Sequence, residues 1–280
     1  MPELDAIERT ALLTAALRAD ETRRPDRLYE DPYAATFAGD LGPALLAEIR
    51  EVTFPRDATR TLPSTPDYNA IRTRFFDEYV AADTTGQVVL APAGLDSRAY
   101  RLDWPAGTSL FEIDRPAVLD VKSDLLRAAP SRVDRRTVAV DLTHDGWGRS
   151  LVATGYDPAR PSTWLLEGLL YYIPEDAVHR ILDRVRALTA PGSRVAADIV
   201  NAEALVLPNM RGLLDVFARW GCPWRFGTDE PEALFARHGF TVDAVQPGDP
   251  RADYGRWPDP VPPRSETGVR RVFFVHGRRD

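Results

Sequence analysis

The stretch from Gln87 to Lys122, QVVLAPAGLDSRAYRLDWPAGTSLFEIDRPAVLDVK, constrains the fold more than any other. Val88-Val89-Leu90-Ala91 is an apolar run short enough for a buried strand. Pro92 and Gly94 then break it, because a strand cannot continue through that pair and Gly94 lets backbone come close to a ligand. A second strand, Ser109 to Asp114, ends on an acid 20 residues after Gly94. In an open α/β sheet, ligands sit at the carboxyl ends of the strands where strand order reverses. A small residue after the first strand and an acid at the end of the second fit an adenosine site. The first turn meets the ligand with its backbone, and the acid accepts the ribose hydroxyls.

That pattern leaves the cofactor open. A nicotinamide fingerprint needs G-x-G-x-x-G. Here Gly94 stands alone, with Pro92 and Ala93 before it and Ser97 where the third glycine belongs. Nothing brings a pyrophosphate onto a helix N-terminus. A phosphate-free cofactor such as S-adenosylmethionine (SAM) needs no such glycine. Dinucleotide binding and a plain buried strand-turn-strand are the alternatives.

GLDSRAYRL followed by FEIDRP resembles the leucine carboxyl methyltransferase family of class I SAM-dependent methyltransferases. It is most similar to the actinobacterial branch, which includes small-molecule O-methyltransferases such as the carboxyl methyltransferase of tetracenomycin biosynthesis. The resemblance spans nearly the whole chain. Gly94, Leu95, Asp96, Ser97 and Arg98 match the family's G-L-D-[TS]-R, whereas Pro92 takes the first small-residue position and removes one backbone donor. The resemblance implies an α/β fold. It has a Rossmann-like class I methyltransferase sheet, mostly parallel with an antiparallel last strand, and an N-terminal helical cap. One domain over 1–280 is expected, with a cap or lid at 1–80 and a core at 81–280 that carries a pocket insertion at 203–228.

Composition agrees with a packed globular chain. Of 280 residues, 44% are hydrophobic and 28% charged. A net charge of −7 and a pI near 5.3 argue against a nucleic-acid partner. Cys222 is the only cysteine, so no internal disulfide or cysteine-based metal site is expected. Neither a signal core nor a run of about 18 apolar residues is present. A cytoplasmic protein that neither spans a membrane nor holds a metal is expected.

Along the chain, Ile7, Leu12, Leu13 and Leu17 have helical spacing. Pro32-Tyr33-Ala34 reads as a helix start with Asp31 as N-cap. Residues 52–66 read as an irregular, mobile loop with three prolines. Tyr68, Ile71, Phe75 and Tyr79 then mark a helix face, with Arg72 and Arg74 beside it. From the residues alone two surface arginines on a helix are the favoured reading. The resemblance implies that Arg72, or failing it Arg74, meets the carboxylate of SAM, a task suited to the guanidinium fork. Pro116 opens a helix, and residues 135–142 form a third strand ending in Asp141-Leu142. Asp141 reads as a turn-former by itself, and the resemblance implies that Asp141 and Leu142 flank the adenine. Trp164 to Glu167 is a fourth strand ending on an acid, and a buried acid requires a partner, such as a ligand cation or donor. Glu167, Leu170 and Tyr172 match the family's E-x-x-L-x-Y. A helix from Pro174, strands at 190–200 and 240–247, an amphipathic helix within 203–220 and a closing strand at 269–278 complete the reading.

Cofactor contacts are therefore expected from Arg72, Ala93, Gly94, Asp114, Asp141, Leu142 and Glu167, and an acceptor pocket from Tyr33, Phe37, Tyr171 and Tyr172. The expected reaction is methyl transfer from SAM to an oxygen, foremost a carboxylate of a small molecule or secondary metabolite. A carboxylate is already ionised at pH 7 and needs no base. For a phenol or alcohol a base would help, and His144 is the histidine nearest the expected cleft. A SAM-fold protein without catalysis and a nucleotide-dependent oxidoreductase are the other classes. The oligomeric state is not legible.

Overall fold

The structure is a computed structural model that describes residues 6–53, 65–257 and 260–280. Four helices precede the sheet: α1 (Ala6–Thr22), α2 (Ala34–Ala38), α3 (Leu41–Val52) and α4 (Thr65–Ala81). The loop expected at 52–66 falls at 54–64 outside the described residues. The sheet then alternates with helices: β1 (Gln87–Leu90), α5 (Arg98–Arg101), β2 (Ser109–Asp114), α6 (Pro116–Leu125), β3 (Asp134–Ala139), α7 (Trp147–Ala153), β4 (Thr163–Leu166), α8 (Glu175–Leu188) and β5 (Arg194–Val200). Two short 3₁₀ turns lead into α9 (Arg211–Arg219), followed by α10 (Pro231–Arg237), β6 (Phe240–Val245) and β7 (Val272–Arg279). Among the described residues no helix is long and apolar enough to cross a membrane.

The strand order is β3-β2-β1-β4-β5-β7-β6. β1 to β5 pair in parallel, and β7 runs antiparallel between β5 and β6. The mostly parallel sheet with an antiparallel last strand is thus present. Strand order reverses at β1, which lies between β2 and β4. The crevice for a ligand opens there, at the carboxyl ends.

Side chains alternate across each strand, and the sheet is covered on both faces. Val88 and Leu90 enter the core formed with α1, α3, α4 and α9, while Val89 and Ala91 enter the core formed with α7, α8 and α10. The same alternation sorts the acids. Leu110 faces the first core and Phe111 and Ile113 the second, so Glu112 and Asp114 face the first. Leu165 faces the first, so Glu167 does too. Ala196 and Val200 bracket Asp198 on that same face. These acids therefore share the face of the sheet that packs toward the first core.

Some local expectations need correction. The third strand stops at Ala139, short of Asp141-Leu142. The helix α2 begins later than expected, with Tyr33 at its N-cap position. Asp31 still receives the Tyr33 N–H on Oδ1 at 3.1 Å, and its Oδ2 takes Arg18 Nε at 2.8 Å in a buried pair. Helices α3 and α7 lie outside the elements expected from the sequence. Pro43 lies in the first turn of α3, where a proline costs no hydrogen bond.

Candidate active site

A cavity of about 230 Å³ opens over the carboxyl ends of β1, β4 and β5. Its floor at β1 is Ala93-Gly94-Leu95. Gly94 adopts φ +46°, a left-handed conformation that favours glycine. Its N–H donates to Asp114 Oδ2 at 2.6 Å, and the Arg115 N–H donates to Oδ1 at 2.7 Å. The turn that was expected to meet a ligand with its backbone donor spends that donor on Asp114. Burial pushes the Asp114 carboxyl above its usual range, against the pull of these two N–H groups. Its remaining lone pairs suit hydroxyl donors.

Beside it runs a ladder of buried charges. Arg72, 6% exposed, lies 3.0 Å from Glu167 through Nε and 3.0 Å from Asp198 through a terminal nitrogen. The Nε contact is Coulombic, since no aligned hydrogen bond forms there. Arg98 reaches Glu167 at 2.8 Å and Asp77 of α4 at 2.7 Å, and also pairs with Asp96. Arg101 completes the ladder on Asp77 at 2.6 Å. Asp198 is fully buried and accepts the Gly168 N–H at 2.6 Å, with the hydroxyls of Tyr68 and Tyr171 at 3.2 and 3.4 Å. Burial opposes ionisation of Asp96, but Arg98, with Lys122, Arg101 and Arg18 behind it, together outweigh it and hold the carboxyl at about 2. Burial, followed by the Asp198 anion, drives the Tyr68 and Tyr171 phenols well above their usual range.

The partner of Glu167 is thus a pair of arginines of the chain itself rather than a ligand cation. Asp198 and Asp77 were missed by sequence reasoning. For Asp198 the signal was present: one acid inside the apolar run RVAADIV of β5. Arg72 and Arg74 separate as a helix requires. Arg72 lines the cavity, while Arg74 pairs with Glu78 one turn along α4 at 2.8 Å.

Ala93, Gly94, Asp114, Glu167, Tyr171 and Tyr172 also line the cavity. Asp141, Leu142, Tyr33, Phe37 and His144 do not. Asp141 accepts the N–H and hydroxyl of Thr143 at 2.8 and 2.6 Å, so it forms a local turn. Leu142 is buried in the core on the other side of the sheet. Phe37 is spent on the core under α1 and α3, and Tyr33 packs edge-on against Tyr100 at 5.7 Å. The apolar wall comes instead from Leu13 and Leu17 of α1, Ile49 of α3, and Met210, Leu213 and Phe217 near α9. Tyr171, Tyr172, Trp224 and Phe217 form a connected aromatic group, with centroids 4.6 to 6.0 Å apart.

A sheet of this order with an acid after β2 and a glycine turn after β1 is the framework of a class I methyltransferase. The profile of the leucine carboxyl methyltransferase family matches residues 11–186, and the chain belongs to that family. A protein of Mycolicibacterium paratuberculosis named "Putative S-adenosyl-L-methionine-dependent methyltransferase" is 41% identical over 269 residues, covering 90% of this chain and 84% of that one. A Streptomyces avermitilis protein of like name is 40% identical over 273 residues, covering 92% and 90%. The crystal structure of a Thermobifida fusca protein described as a "putative methyltransferase" shares the fold, with a TM-score of 0.59 at 18% identity over 96% of this chain and 94% of that one.

Proposed function

We propose that this S-adenosyl-L-methionine-dependent methyltransferase transfers its methyl to an oxygen of a small apolar acid, a carboxylate that arrives already ionised. The observation that carries the reading is the state of the groups facing the cleft. The Tyr68, Tyr171 and Tyr172 phenols are pushed up by burial and stay protonated at neutral pH. Glu167 is tied to Arg72 and Arg98, and Asp96 to Arg98. These groups position and donate, and none is poised as a general base. A carboxylate acceptor needs none. The half-buried Arg270, beside the Met210 sulfur at 3.4 Å in the same wall, adds a cation suited to such an anion.

The residues fit the cofactor, because Asp114 keeps acceptor capacity at the end of β2 and Ala93-Gly94 leave room above β1. When bound, S-adenosylmethionine supplies the electrophilic methyl on a sulfonium. In this reading Asp114 accepts the ribose hydroxyls, Ala93 and Gly94 admit the cofactor closely, and Glu167 and Arg72 hold its methionine end. Asp141 and the backbone N–H of Leu142, two and three residues past β3, border the adenine from beyond the cavity, while the Leu142 side chain stays in the far core. The aromatic group orients the acceptor and excludes water, so that alignment supplies the rate.

The test is methyl transfer from labelled cofactor to a panel of apolar carboxylic acids and phenols, followed by mild alkali. A carboxyl methyl ester releases its label as methanol. A product stable to alkali overturns the carboxylate assignment and points to a phenol or nitrogen acceptor.

A further inference from the structure

Asn69 has no role in anything described so far. It sits in α4 at 2% exposure and lines the same cavity, and its Oδ1 accepts no hydrogen bond. A buried amide oxygen left without a donor is costly, and native structures rarely leave one without a reason. Its place on the helix says where that donor comes from. Asn69, Thr73 and Asp77 are spaced i, i+4, i+8 and share one face of α4. Asp77 on that face grips Arg98 and Arg101, which directly follow the Gly94-Leu95-Asp96 turn. Asn69 is two turns up the same face, and Arg72 is one turn away. From across the cavity, Thr14 and Arg18 of α1 face the same space, and Arg18 is anchored to the Leu95 carbonyl at 2.6 Å.

We propose that Asn69 holds the amino-acid end of the cofactor, its Oδ1 accepting from the ammonium of the methionine moiety. The inference rests on the cofactor assignment and is independent of which acceptor is methylated. An amide suits this place because it adds an acceptor without adding a further charge to a ladder already held together by ion pairs. An ammonium is a strong donor with three hydrogens to place.

Calorimetric titration with two ligands isolates the contact: S-adenosylhomocysteine, which carries the amino acid, and 5′-methylthioadenosine, which lacks it. In Asn69→Leu, S-adenosylhomocysteine affinity is expected to fall about ten-fold or more, with 5′-methylthioadenosine held within about two-fold. The unchanged second ligand also certifies the fold. Should Asn69→Leu fail to fold, Asn69→Ala removes the same acceptor with less demand on space and carries the same expectation. An unchanged affinity for S-adenosylhomocysteine, or an equal fall for both ligands, overturns the proposal. A wild-type chain that binds neither ligand overturns the cofactor assignment itself.

Discussion

The two halves of the cleft are built from different materials. The half over β1, β2 and β4, with Asp198 of β5, is a lattice of fixed charges. Arg72, Arg98 and Arg101 are interleaved with Asp77, Asp96, Glu167 and Asp198, and nearly every charged oxygen has a partner within the chain. The half toward α9 is aromatic and aliphatic, with Met210, Leu213, Phe217 and Trp224 in its wall. Buried ion pairs tolerate the loss of a partner poorly, which makes the first half rigid before a ligand arrives. Apolar walls repack, and methionine adapts most readily. The difference teaches a division of labour: one half presents a constant cofactor in one pose, and the other can be re-cut for a new acceptor without disturbing it.

The comparison breaks most visibly at Arg98. It is 2% exposed and serves three acids on three elements. Arg98→Met keeps much of the volume but leaves Asp77, Asp96 and Glu167 short of a counter-charge. Urea unfolding should show a loss of about 3–5 kcal/mol. A loss below about 1 kcal/mol would mean that the ladder is not a unit.

Arg72 and Arg74 test the same idea within one helix. Arg72→Ala strips a buried cation from Asp198 and should cost about 3 kcal/mol together with most cofactor affinity. Arg74→Ala removes an exposed i,i+4 pair and should cost at most about 0.5 kcal/mol. Arg72→Lys should restore affinity only in part, because an ammonium lacks the planar fork. Loss of cofactor binding in the Arg74 variant alone would reverse the assignment.

The same division explains what the sequence made legible. The cofactor half is encoded at strand ends, where GLDSR, FEID and LLEG each place a small residue or an acid within a few positions of an apolar run. Gly94, Asp114 and Glu167 follow from that, and the sheet follows from the spacing of the runs. Asp198 needed one more step, the two-residue alternation that puts it opposite Arg72. The acceptor half is assembled from α1, α3, the approach to α9 and the lead-in to β7, segments far apart in sequence. Nothing local distinguishes Leu13 or Ile49, which face the cavity, from Phe37, which faces the core. Tyr33 and Phe37 were therefore plausible by residue type and misplaced by packing. Helix α3 was hidden by Gly42-Pro43, a pair that breaks a helix interior but is tolerated in its first turn.

Asp114 gives a smaller effect of a different kind. Burial already disfavours its charge in the ligand-free protein. Asp114→Asn should therefore change folding stability by less than about 1 kcal/mol, since an amide oxygen can still accept from Gly94 or Arg115. Cofactor affinity should nevertheless fall about ten-fold or more, the share of a charge-assisted bond to the ribose. Calorimetry and a thermal melt on the same sample separate the two. A fall in stability matching the fall in affinity would make Asp114 a loop anchor and not a ribose acceptor.

The mildest change belongs in the other half. Phe217 packs against Tyr172, Trp220 and Trp224, with centroids 6.0, 5.5 and 5.7 Å away, and its ring faces the cavity. Phe217→Leu keeps an apolar side chain there and forfeits the ring contacts, worth about 0.5–1.5 kcal/mol. No rung of the charge ladder touches this residue, so affinity for S-adenosylhomocysteine should stay within about two-fold. The acceptor loses contacts made equally in ground and transition states, so KM should rise about three- to ten-fold with kcat held. Steady-state kinetics on whichever acid the panel identifies, beside calorimetry with S-adenosylhomocysteine, reads both numbers. If cofactor affinity falls as far as acceptor KM rises, the two halves are coupled through Tyr171, which touches both the ring cluster and Asp198. The acceptor wall could then not be re-cut without cost to the cofactor site.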